Sequence, residues 1–461
     1  MVFSSNIFLF AFLPLFLLCY YLVPARARSA LILGFSYAFY AWWRPEFLGL
    51  LVGVTVVSYA FALSIEATAD ERRRYRLLTA GVALNLLALG YFKYANFGID
   101  SLNALLGGLG LNAVNFTRVI LPIGLSFYIF HAISYLVDIY RREAPPARSL
   151  IDFAAFIALF PHLVAGPVLR YHLLAEQFRS RVHSLERFAR GCTIFMVGFC
   201  SKVLIADSVA PLADAAFAAP SPTFADSWTG TLAYSIQLFF DFSGYTTMAI
   251  GLALMIGFVF PENFNDPYLS RSITDFWKRW HMSLSNWLRV YLYIGLGGNR
   301  KGMTRTYINL FLTMLLGGLW HGANWTFVLW GAWHGGCLVI ERYWMQRYGY
   351  PLFSGWMAVA KTTLLVMIGW VMFRAVDFAA AGRMFRGMLG LNGLTFSAPV
   401  QWQITSDRLG VLVIGIVLVY AMPWLRRHGG GPLRYFLVPL FLWAVATLSS
   451  QSFTPFLYFQ F

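Results

Sequence analysis

Apolar runs close to the length of a membrane crossing, separated by short basic loops, organise this chain from one end to the other. A helix that crosses the hydrocarbon layer needs about 20 mostly apolar residues. Such segments lie at 7–23, 29–43, 47–65, 77–92 and 119–139, and again at 191–207, 229–258, 355–373, 409–425 and 435–449. Lys and Arg prefer the cytoplasmic side of a membrane. Arg26 and Arg28, the run Asp70–Arg76, and Arg141, Arg142 and Arg148 therefore mark cytoplasmic loops, whereas 208–228 has no Lys or Arg and reads as an external loop.

Two stretches break the alternation of sides. Segment 150–168 has basic residues on both flanks and is interrupted by Pro161 and Gly166-Pro167, which predicts a re-entrant element. The second stretch, 306–341, is almost uncharged and too long for one crossing. Arg300, Lys301 and Arg305 precede it and Arg342 and Arg347 follow it, so both ends read as cytoplasmic and the chain must enter and return. His321 lies near that turn, in Gly317-Gly318-Leu319-Trp320-His321-Gly322-Ala323-Asn324-Trp325. The flanking glycines suit a broken helix lining a protein-enclosed cavity. An ionisable group at membrane depth is costly and so is a candidate for function.

Composition agrees. Of 461 residues, 59% are hydrophobic and 12% charged, which points to a polytopic membrane protein and away from a soluble enzyme. The net charge of +15 sits in short loops, where it sets topology; nucleic-acid signatures are absent. Cys19, Cys192, Cys200 and Cys337 lie in apolar segments and form no CxxC pair, so neither a disulfide framework nor a metal site is expected. Ala25-Arg26-Ala27 loosely resembles a cleavage site, but the bases follow the apolar run, which predicts a retained first helix with its N-terminus outside. The expected fold is an all-α polytopic membrane protein. It has about nine to eleven transmembrane helices plus re-entrant and interfacial helices around a central tunnel, in one domain spanning 1–461.

A second chemical stretch is Asp275–Leu296. On a helix turning about 100° per residue, Trp277, Trp280, His281, Leu284, Trp287, Leu288 and Tyr291 share a face, and Asp275, Lys278, Arg279, Ser285, Asn286 and Arg289 share the other. This reads as one interfacial amphipathic helix. Spacing alone leaves His281 open between a core histidine and a residue that meets His321 across a cavity. Neutral imidazole can accept a hydroxyl proton near neutral pH, so His321 suits a general base. Asn324 could orient that ring or a substrate carbonyl, between Trp320 and Trp325. Asp241, in the middle of 229–258, wants a partner at that depth and is either a hydrogen-bond hub or a substrate contact. Lys202 and Asp207 read as interfacial, Asp138 as locally paired with Arg141 and Arg142, and His334 as structural. The glycines of 295–299 follow a surface helix and are weak evidence for phosphate binding.

Several stretches together resemble the membrane-bound O-acyltransferase family, in its bacterial alginate O-acetylase branch. They are LPIGLSFYIFHAISYLVDIYRR (121–142), FPHLVAGPVLR (160–170), KVLIAD (202–207), FDFSGYTTMAIGLALMIGF (240–258), PENFNDPYLSRSITDFWKRWHMSLSNWLRVYLYIGLGGNR (261–300), LLGGLWHGANWTFVLWGAWHG (315–335) and the terminal FLYFQF. The resemblance implies that His321 is the catalytic histidine and His281 the second signature position. It also implies acetyl-CoA as cytosolic acyl donor, no bound cofactor, and a periplasmic partner protein that passes acetyl to a polysaccharide. Arg289, Arg300 and Lys301 would then hold CoA phosphates. The chain would be a multi-pass protein of a bacterial inner membrane, surrounded by lipid and binding no nucleic acid. Alginate is the first choice of polymer; cellulose or another exopolysaccharide, D-alanyl transfer to teichoic acid, and a membrane transporter are the alternatives. One departure is His131, where many relatives would carry glutamine.

Overall fold

A computed structural model describes residues 1–428, 433–450 and 457. The regular structure among the described residues is all helical, with no strand. Among the described residues six helices are long and apolar enough to cross a membrane: Pro45–Ala67, Glu71–Gly108, Leu185–Ala218, Phe224–Met255, Gly355–Arg374 and Ser406–His428. Three shorter apolar helices, Phe8–Leu22, Leu125–Tyr140 and Tyr435–Ser450, accompany them. Cys19, Cys192, Cys200 and Cys337 are all free thiols. The terminal FLYFQF, apart from Leu457, lies outside the described residues.

The chain forms two compact units: Met1–Cys192 with Ala249–Phe260, and Thr193–Met248 with Pro261–Phe461. In the first, the expected segment 77–92 is part of a longer helix, Glu71–Gly108, which Asp70 starts by capping the Arg72 amide. The expected segment 119–139 starts later, at Leu125, after Gly124 turns the backbone through φ 74°. Residues 150–168 form an interrupted element, Leu150–Ala158, a sharp turn at Leu159, and Phe160–Leu163. Every residue from Phe153 to Leu169 is buried.

In the second unit, the stretch expected as an external loop is helical as far as Ala218, because short apolar residues such as Ala210, Leu212, Ala213 and Ala216 continue the buried face. Helix Phe224–Met255 is central, with 78% of its apolar window buried, against 17% for Ser406–His428. It crosses the Leu185–Ala218 helix at two glycines: a side chain on Gly244 would sit 2.7 Å from the Gly198 carbonyl. Small residues let membrane helices approach this closely.

The approach brings Lys202, one turn beyond Gly198, to Asp241, at 3.1 Å, and to Asp207. Lys202 is 1% exposed, so the interfacial reading of Lys202 and Asp207 gives way to a buried ion cluster. The π-helical turn Ser201–Ala206 carries the lysine. The partner that Asp241 required is Lys202, and the Leu457 amide donates to the other Asp241 oxygen at 3.0 Å.

Candidate active site

His321 is the last residue of helix Met303–His321, and Trp325–Tyr348 returns beside it. At 1.5 Å per residue the arms measure about 28 and 36 Å. The expected hairpin with His321 near its turn is therefore built of two long helices. Gly317 and Gly318 do not break the first arm. Gly318 thins it where the second arm passes, and Gly317 faces Leu288: a side chain on Gly318 would strike the Phe327 carbonyl, and one on Gly331 would lie 2.6 Å from the Met314 carbonyl. The break comes at Gly322–Asn324, where Gly322 is extended and a side chain on it would collide with the Phe327 ring.

His321 is 7% exposed and boxed by aromatic edges. Trp320, Trp330 and Phe373 stand at 5.0, 5.1 and 5.2 Å between ring centroids, all near perpendicular. Phe373 comes from helix Gly355–Arg374, so three helices hold the imidazole. One side opens on an almost wholly apolar cavity of about 90 Å³, lined by Trp277, Leu284, Ser285, Leu288, Thr313, Met314, Gly317, Trp330 and His321 itself.

The stretch from Asp275 is not one helix. Ile273–Trp277 ends, the chain bends through His281 at φ 44°, and Met282–Trp287 follows, running into the π-helical turn Leu288–Tyr293. The first amides of a helix lack partners within it. Here Asn263 supplies them: its carbonyl accepts from the Met282 amide at 2.9 Å and its side-chain oxygen from the Ser283 amide at 3.1 Å. That external capping favours a break where the side-chain periodicity alone runs on unbroken. His281 is fully buried. Its ring lies 4.7 Å from Phe242 and 6.2 Å from Trp320, which stands in turn beside His321. His281 does not line the cavity at His321; Trp320 is the link between them.

The other candidates fall in different places. Asn324 caps the return helix through the Thr326 amide and donates to the Val376 carbonyl at 2.8 Å. Trp320 is buried, whereas Trp325 is half exposed. Arg289, Arg300 and Lys301 are exposed on and after the Leu288–Tyr293 turn, with Arg289 held by Asn286 at 3.1 Å. His334 is fully buried against Trp277 and Trp330. Asp138 lies 2.8 Å from His172 Nδ1, 34 residues away, with Glu143 adjacent; these three are the group among the described residues with the donors for an ion. His172 is a partner that the expected local pairing with Arg141 and Arg142 did not include. Phe373, Met314 and Asn263 carried no role in the sequence reading; Asn263 sits inside a quoted motif, but its target lies 18 residues on.

The family model of the membrane-bound O-acyltransferases matches residues 141–374, a span that contains both histidines. The chain is 51% identical to a probable alginate O-acetylase of Azotobacter vinelandii, with all of each chain covered. It is 36% identical to the peptidoglycan O-acetyltransferase of Helicobacter pylori, across 86% of this chain and 81% of that one. With the teichoic acid D-alanyltransferase of Bacillus subtilis it shares 28% identity, across 56% of this chain and 69% of the other. An aromatic-boxed histidine at the tip of a helical hairpin, the family match across the hairpin and full-length likeness together assign the chain: it belongs to the membrane-bound O-acyltransferase family and is a multi-pass membrane acyltransferase.

Proposed function

We propose that this protein O-acetylates a secreted polysaccharide, with alginate as the first polymer, from the inner membrane of a bacterium. Residues 1–461 would work as one domain around a tunnel, with acetyl-CoA entering from the cytosol and a periplasmic partner protein carrying acetyl on to the polymer. The observation that carries this reading is His321 at the hairpin tip, facing a small apolar cavity. A water needs about 10–15 Å³ of such volume, so the cavity has room for a two-carbon acyl group. The full-length likeness to a probable alginate O-acetylase supports the acyl group and the polymer class.

In this mechanism His321 takes the proton of the attacking hydroxyl. The hydroxyl oxygen adds to the thioester carbonyl carbon, the C–S bond breaks, and the imidazolium returns the proton to the departing thiolate. The products are an acetyl ester and free CoA. The aromatic box excludes water, which would otherwise hydrolyse the thioester. His281, Trp320, Trp325 and Asn324 would position the substrates, Asp241 would serve as the structural partner of Lys202, and Arg289, Arg300 and Lys301 would bind CoA phosphates.

Family membership removes the transporter alternative. Other polymers stay within the reading, since a relative is named for peptidoglycan. The test is mass spectrometry of polymer from a deletion strain, beside transfer of labelled acetyl from acetyl-CoA by membranes containing the protein. Loss of polymer acetyl groups and a labelled acetyl product are expected. Full acetylation in the deletion strain, or transfer of D-alanyl in place of acetyl, would sink the proposal.

A further inference from the structure

The bend at His281 is strained and held. A non-glycine residue at positive φ costs about 1–3 kcal/mol and persists where the surroundings fix it. His281 sits at φ 44° and ψ 54°. Asn263, itself 2% exposed, grips this bend from outside. Its side-chain oxygen lies 3.2 Å from His281 Nδ1, 3.1 Å from the Ser283 amide nitrogen and 2.9 Å from Ser283 Oγ. One residue pair on, the Asn265 amide donates to the Arg279 carbonyl at 2.9 Å.

These contacts decide where the imidazole proton resides. The two ends of an asparagine amide look alike, and the hydrogen-bond network must assign them. Here the Ser283 amide settles it, because a backbone N–H can only donate; the Asn263 atom facing it is oxygen. A carbonyl oxygen only accepts. The Ser283 hydroxyl stands 3.5 Å from His281 Nδ1 but only 2.9 Å from the Asn263 oxygen, to which it donates; the shorter 3.2 Å contact of Nδ1 with that oxygen favours a hydrogen on Nδ1, and in the neutral ring the lone pair then belongs to Nε2. The opposite tautomer would set two lone pairs against each other at 3.2 Å.

We propose that Asn263 is a positioning residue of the acyl-transfer site, which fixes His281 as the Nδ1–H tautomer so that Nε2 acts as a hydrogen-bond acceptor. The proposal rests on the reading that His281 serves acyl transfer. It also narrows that role. A neutral His281 held this way offers the Nε2 lone pair to a donor on the acceptor substrate other than the reacting hydroxyl, whose single proton goes to His321; it does not donate a hydrogen bond to the thioester carbonyl. Both histidines would then act on the acceptor side, His281 orienting it and His321 removing the hydroxyl proton.

The test uses the full-length protein in lipid vesicles with acetyl-CoA, in the variants Asn263→Ala, Asn263→Asp and His281→Ala. Removing the partner that orients a working histidine typically costs about 10–100-fold. Asn263→Ala should lower kcat by that factor with the KM for acetyl-CoA unchanged. Asn263→Asp keeps an acceptor and should recover most of the rate. Its carboxylate favours the imidazolium, so the acidic limb of the pH–rate profile should move to higher pH. Nitrogen-15 spectra of the 8 histidines give a readout independent of turnover: the ring missing in His281→Ala should show the Nδ1–H pattern in the wild type and lose it in Asn263→Ala. An Nε2–H pattern in the wild type overturns the proposal. So does a wild-type rate in Asn263→Ala, or a loss in both Asn263 variants that merely tracks the folded fraction. Full activity in His281→Ala would instead defeat the role given to His281, while the nitrogen spectra would still decide the tautomer.

Discussion

Two pairs of buried histidines occur in this protein, and they are built in opposite ways. His131 and His162, within the first unit, close on each other with ring centroids 4.4 Å apart. His131 Nε2 accepts from the Leu169 amide at 3.2 Å, and His162 Nε2 donates to the Phe156 carbonyl at 2.8 Å. The main chain uses both rings. His281 and His321, within the second unit, hang respectively on an asparagine side chain and in an aromatic box, with Trp320 between them. All four are almost fully buried, so burial does not separate the pairs. Hydrogen-bond use does. The main chain engages His131 and His162, whereas His321 ends its helix beside a cavity and His281 occupies a positive-φ bend held by the Asn263 side chain. A buried histidine spent on main-chain hydrogen bonds is architecture; one set at a break by side chains is available for chemistry.

The sharpest way to break this contrast is His321→Ala. General-base assistance is typically worth about 10²–10⁴-fold. Acetyl transfer should fall by that much while insertion and the melting temperature stay near wild type. Transfer rates measured beside melting curves decide it, and an active variant would overturn the mechanism.

Lys202→Met extends the comparison from histidines to charges. Removing one partner of a buried ion pair strands the other and costs about 3–5 kcal/mol. Asp207 and Asp241 would be left without their ammonium. The variant should therefore melt far lower, with activity per folded molecule preserved. A stable variant that has lost transfer would move Lys202 and Asp241 into the active site.

His281→Ala tests whether the second pair is a unit. It should impair transfer less than His321→Ala does. Residues that act together are strongly non-additive, so the double variant should lose little more than the worse single one. Additive losses would separate the two histidines.

How much of this was readable beforehand follows from what each signal measures. Basic flanks and a long uncharged run located the hairpin and put His321 at its turn, because topology is written in loop charge. The bend at His281 was not readable: no Gly or Pro lies between Ile273 and Ile294 to announce it, and the capping groups come from Asn263, outside any local window. Lys202 misled for a related reason. A lone lysine near a helix end looks like an interfacial anchor, and only the crossing of Gly198 with Gly244 shows that it meets Asp241. Periodicity reports one helix at a time; the ion cluster and the tautomer lock belong to pairs of segments far apart in sequence.

Neutralising Arg289, Arg300 and Lys301 together should raise the KM for acetyl-CoA and leave kcat nearly intact, since exposed side chains that hold phosphates contribute binding shared by ground and transition states. An unchanged KM, with normal insertion, would reassign these bases to topology.

The smallest effect is expected at His131, and it tests the architectural half of the contrast. The ring's service is to accept the Leu169 amide in a fully buried setting. Glutamine has an acceptor oxygen at a similar reach, so His131→Gln should keep that bond and cost no more than about 1 kcal/mol, the net value of one hydrogen bond. Alanine has no acceptor. It leaves the Leu169 amide buried without a partner, at about 1–3 kcal/mol. Two melting curves should therefore rank wild type, glutamine and alanine in that order, with transfer per folded molecule the same in all three. If the glutamine variant folds normally but transfers slowly, His131 is doing chemistry, and the rule that separates the two pairs fails at the residue it classifies most simply.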